Sequence, residues 1–146
     1  MSAEREQNWY PISDVGWFTE HMREGIAVTA GQLDLLQPAL ARPGLLDNAT
    51  VADIARVHQD QAGDLVLFQN QADKWNATDG LTVAQRAAVR EFEEAISEVR
   101  RLNAEVLAAA EKLKPVTIEA LLARSDLELG ADALLRGGWP EGAEPR

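Results

Sequence analysis

The chain has 146 residues, 46% hydrophobic and 26% charged, with a formal net charge of −10 and no cysteine. A chain this long can bury about 68–70% of its unfolded surface as one domain, so neither disulfide nor metal is needed to hold it. The missing cysteines exclude thiolate catalysis and zinc–thiolate sites, and the acidic balance argues against nucleic acid and anionic membranes as partners.

Met1–Tyr10 has neither the basic start nor the apolar run of a signal peptide. No apolar segment approaches the ~20 residues that a membrane span needs, and the expected location is the cytoplasm. Residues 1–12 read as a partly disordered lead-in, 13–136 as a single helical domain, and 137–146, with Gly137, Gly138, Pro140 and Pro145, as a flexible tail carrying Trp139.

The first helix is expected to open at Ser13 as cap, with Asp14 at its positive end and Ile12 packing back onto Trp17. Val15, Phe18, Met22, Ile26, Thr29, Leu33, Leu36 and Leu40 follow one face at helical spacing. Pro38 and the ARPG that follows (residues 41–44) are expected to close it. A second helix is predicted from a capping box of Thr50 and Asp53 to about Trp75. Its stripe is Ile54, His58, Gln61, Leu65, Phe68, Ala72 and Trp75, so two polar residues interrupt an apolar seam.

Thr82 and Gln85 form a second capping box, opening a third helix of about 31 residues, near 46 Å at 1.5 Å per residue. Val89, Phe92, Ile96, Val99, Asn103, Val106, Ala110 and Leu113 alternate three- and four-residue steps along it. Lys114–Pro115 ends it, because proline cannot continue the ladder. Thr117 then caps IEALLAR, and Asp126 is placed to cap LELGADALLR. The predicted fold is all-α: an antiparallel up-down bundle of three long helices, with a short, broken C-terminal helical pair over the remaining groove.

Antiparallel pairing sets levels along the bundle at 1.5 Å per residue. His58 then falls opposite Asn103, with Gln61 and Thr29 about a turn away. Thr29, His58, Gln61 and Asn103 are expected to form a buried polar layer, the kind of device that fixes helix register. Trp17, Phe18, His21, Phe68, Trp75 and Phe92 gather at one end. They read first as packed core, and alternatively as a pocket for a planar or apolar small molecule.

Catalytic patterns are sparse. A di-metal bundle needs Glu-x-x-His on two helices, but Phe18 precedes His21 and Ala55 precedes His58 at that spacing. His21 with Glu24 is the remaining metal-binding pair. The run EFEEAISE (Glu91–Glu98) resembles the magnesium-binding carboxylate cluster of all-α nucleotide pyrophosphohydrolases. It departs from their Glu-Glu-x-x-Glu spacing and lacks the later Glu-x-x-Asp, so it reads as a solvated helix face. None of Ser2, Ser13, Ser97 and Ser125 has a histidine placed to activate it. The expectation is a non-enzymatic bundle without cofactor or metal, acting as a homodimer or on a protein partner. The alternatives are a small apolar ligand held near His21, Trp17 and Trp75, and a metal-dependent hydrolase built on His21 and nearby acids.

Overall fold

A computed structural model describes residues 7–125. The first six residues, the predicted LELGADALLR helix and the tail with Trp139 lie outside that range. The described residues form three long helices and a short one: α1 (Val15–Ala41), α2 (Asn48–Asn76), α3 (Val83–Leu113) and α4 (residues 118–125). They contain no strand. The fold is all-α, and its long helices run up, down and up.

Helix boundaries depart from expectation in three places, each for a local reason. Ser13 does not cap α1. Pro11, with φ at −69°, leads into a 3-10 turn over Ile12–Asp14, which Asp14 N–H closes by donating to the Pro11 carbonyl at 2.9 Å. Pro38 does not end α1, which continues to Ala41. The proline ring is exposed, and Leu36 and Ala39 on either side are buried against the core, so packing holds the last turn. The start of α2 comes earlier than Thr50. Asp47 is its cap and accepts from Thr50 N–H at 2.8 Å, while Asp53 lies near Arg56 at 3.6 Å. A carboxylate at the N-cap outranks threonine because it is the stronger acceptor.

The cap of α3 follows the expected pattern. Thr82 Oγ1 accepts from Gln85 N–H at 3.1 Å and Gln85 Oε1 accepts from Thr82 N–H at 2.9 Å. Thr117 caps α4 through Ala120 N–H at 3.2 Å and donates to Asn48 Oδ1 at 2.6 Å.

The hub is α3, which packs on both α1 and α2, while the backbones of α1 and α2 scarcely approach each other. Beside α1 it runs parallel: Phe92 meets Phe18, and Val99 faces Gly25 at the same offset. Beside α2 it runs antiparallel, with Phe92 on Phe68 and Asn103 on His58. All eight residues of its predicted stripe are buried. Ala95, Leu102 and Ala109 are buried too, because a helix with neighbours on two sides needs a wider apolar face.

The interior has two apolar clusters. One gathers Val15, Phe18, Met22, Leu65, Trp75, Val89, Phe92 and Ile96. The other gathers Leu36, Ala39, Val51, Val106, Ala110 and Leu113. At the foot of the bundle the α1–α2 connection and α4 are stitched together. Gly44 N–H donates to Val116 and Ile118 N–H to Leu46, at 2.8 and 2.9 Å. Gly44 has φ +83°, a conformation that favours glycine, and a Cβ there would press on Leu121 Cδ1 at 3.1 Å.

Candidate functional site: a polar layer and an open groove

Between the two clusters lies the polar layer. His58 Nδ1 is 2.8 Å from Asn103 Oδ1 and 3.0 Å from Gln61 Oε1. Asn103 Nδ2 donates to the His58 carbonyl at 3.0 Å, and Gln61 Nε2 donates to Thr29 Oγ1 at 3.3 Å. The Asn103 amide nitrogen is committed to a carbonyl, so its oxygen faces the imidazole, and Nδ1 carries the proton as a donor shared between two amide oxygens. The structure thus brings Thr29, His58, Gln61 and Asn103 into one network across three helices. Thr29, His58 and Asn103 are buried, and no buried side-chain nitrogen or oxygen among the described residues lacks a partner. Its recorded hydrogen bonds all run between protein groups.

Above the layer the aromatic rings are in contact. Phe18 sits 5.6 Å from Trp75, 5.8 Å from Phe92 and 5.9 Å from Phe68, at edge-on or tilted angles. Phe18, Trp75 and Phe92 are buried and filled around. Trp17 and His21 are exposed and stack in parallel at 5.3 Å. The six rings divide into a sealed core and a rim.

One polar clamp escapes sequence reasoning. Gln71 is buried, its Oε1 accepts from Tyr10 N–H at 2.9 Å, and Trp75 Nε1 donates to the Tyr10 carbonyl at 2.9 Å. Gln7 Nε2 reaches the Leu67 carbonyl at 2.7 Å, and Lys74 lies over the Trp9 ring. From Gln7 onward the lead-in is therefore held along α2. The only sequence signal is weak: a glutamine beside, not on, the apolar stripe.

Because α1 and α2 diverge over α3, a groove opens between them below this strap. It encloses about 310 Å³ and is lined by His21, Glu24, Val28, Gln61, Asp64 and Phe68, with Val99 of α3 also on its wall. Of the six candidate rings, only His21 and Phe68 line it. Trp17, His21, Val28 and Leu35 follow one edge of α1 at four- and seven-residue steps. Val57, Gln61, Asp64 and Phe68 share one edge of α2 at four- and three-residue steps. Val28 is 71% exposed, Leu35 69%, Trp17 64% and Val57 51%. The groove, with Val28, Phe68 and Val99 beside His21, Glu24 and Asp64, is left open to water.

The acids do not converge on an ion. Among the described residues no three His, Cys, Asp or Glu side chains are placed to hold a metal. Glu93 turns toward α2, accepting from Asn76 at 3.0 Å and from Gln69 at 3.4 Å. Arg101 bonds Glu98 and Glu105 on the α3 surface, and Glu98 raises its already high pKa further. No helix among the described residues is long and apolar enough to cross a membrane. Comparison with protein-family models, with curated proteins and with solved structures gave no match.

Proposed function

We propose that the protein works by contact, self-associating as a two-fold dimer through the open groove between α1 and α2. The observation that carries this reading is the groove itself, walled by Val28, Phe68 and Val99, with Val28 71% exposed and Leu35 and Val57 exposed on the same two helices. Isolated exposed valines such as Val66 and Val83 also occur, but a groove between two helices has the shape that receives an amphipathic helix. Sedimentation velocity tests it. The wild type is expected to dimerise at high micromolar concentration, and Val28→Glu with Leu35→Glu to stay monomeric while keeping its helical content. Wild-type protein that remains monomeric throughout would overturn the reading.

A second reading is favoured by the groove's upper part, where Phe68 and His21, stacked on Trp17, adjoin a volume of about 310 Å³. That is the lower end of the range for small-molecule sites. A planar or apolar ligand there would change Trp17 emission. A metabolite screen in which wild type and Trp17→Phe respond alike would remove it.

A further inference from the structure

We propose that the groove between α1 and α2 is a site for a small organic cation, a protonated amine carried on an aryl or alkyl body. The inference rests on the small-molecule reading of the groove's upper part and names the class of ligand.

The floor of the groove is apolar. Met22, Leu65 and Val99 line it and are themselves buried, while Val28 and Phe68 stand at its sides. Depth comes from Gly25, which leaves α1 without a side chain at this level. A Cβ there would meet only Val99 Cγ2 at 3.7 Å and Gln61 Nε2 at 4.0 Å, and a longer side chain would enter the open space.

Two carboxylates border this apolar surface. His21 meets Phe68 with ring centroids 5.6 Å apart, and Gln61 reaches Thr29 at 3.3 Å. Those two contacts set the level of α1 against α2, and between them Glu24 and Asp64 fall within about 3 Å of each other along the bundle axis. Both side chains are exposed and both line the groove. Among the described residues, no lysine, arginine or histidine nitrogen lies within 4.0 Å of either carboxylate. Arg23, next to Glu24 in the chain, turns instead toward Glu20 and Glu91, at 3.7 and 3.9 Å.

That combination selects among ligands. A hard divalent ion takes about six or more oxygen ligands, and no three metal-binding side chains converge among the described residues. A neutral ligand makes no use of the two carboxylates, and an anion is repelled by them. An ammonium at the level of Glu24 and Asp64 is attracted by both. Phe68, one turn on from Asp64, adds a ring whose face favours cations. The body of the amine then covers Val28 and Val99, removing apolar surface from water.

The test titrates the full chain with phenethylammonium, phenethyl alcohol and phenylacetate, which share a ring and differ in charge. The methyl NMR signals of Val28 and Val99 report the groove, and those of Val66, exposed outside it, are the control. The ammonium is expected to bind about fivefold more tightly than the alcohol, the combined effect of exposed ion pairs and one ring contact. Phenylacetate should bind more weakly than either. Glu24→Gln with Asp64→Asn should abolish the preference for the ammonium, and Gly25→Leu, which puts a side chain into the groove, should abolish binding of both. Alcohol binding as tight as the ammonium's in the wild type would overturn the proposal and leave the small-molecule reading standing. Ammonium shifts that extend equally to Val66 and survive the double substitution would overturn it as well, as general attraction to an acidic chain. So would the absence of any saturable shift at Val28 and Val99, with the screen of Trp17 emission then deciding the wider reading.

Discussion

His58 is the residue on which the middle of the bundle turns. Its Nδ1–H is shared by Asn103 and Gln61, so His58→Ala would strand two amide oxygens in a largely buried place. A loss of roughly 1–3 kcal/mol is expected from chemical denaturation. Asn103→Leu is a different experiment. It leaves His58 Nδ1 its bond to Gln61, so stability is expected to hold or rise, or the oligomeric state to shift. A loss of more than about 2 kcal/mol would contradict a register-setting role. Asp47 gives a pH-dependent case. Hydrogen bonds from Thr50 hold its carboxyl below the ordinary carboxylate value. A lowered folded value means stabilisation that is present at neutral pH and lost as the pH falls through that value. The difference between wild type and Asp47→Ala should therefore be clear at about pH 7 and vanish at about pH 2 in matched denaturation curves. The polar layer was legible in the sequence because His58, Gln61 and Asn103 interrupt stripes that are otherwise apolar. Gln71 was not, because its partner is the backbone of Tyr10, and no side-chain pattern announces a backbone bond.

At the scale of elements, the interiors of the helices were readable and their ends less so. The stripe of α3 repeats without a break, and every residue of it is buried. Ends are settled by single hydrogen bonds, and several residues compete to make them. Thr82 won its position because Gln85 answers it. Thr50 lost to Asp47, whose carboxylate already occupies the Thr50 N–H. Pro38 stayed helical because the buried Leu36 and Ala39 outweigh one missing bond on an exposed side. The reciprocal pair at Thr82 makes a clean test. Thr82→Ala should cost about 1 kcal/mol by thermal or chemical unfolding, with the loss appearing as fraying of the first turn of α3 in amide exchange. The groove could not be read at this scale, since it depends on how far α1 and α2 diverge over α3, which no single helix encodes.

Across the whole molecule, one helix has two neighbours and the other two have an uncovered flank. Burying Phe92, Ile96, Val99 and Val106 on α3 fixes α1 and α2 in place. The same arrangement leaves Val28, Leu35 and Val57 facing water. That flank is the proposed surface on which the molecule meets others. Methyl NMR over a dilution series tests that claim most directly. The methyl signals of Val28, Leu35 and Val57 are predicted to shift together with a single apparent affinity, while those of Val66 and Val83, exposed elsewhere, stay fixed. Groove methyls that keep their positions while Val66 or Val83 moves would contradict it.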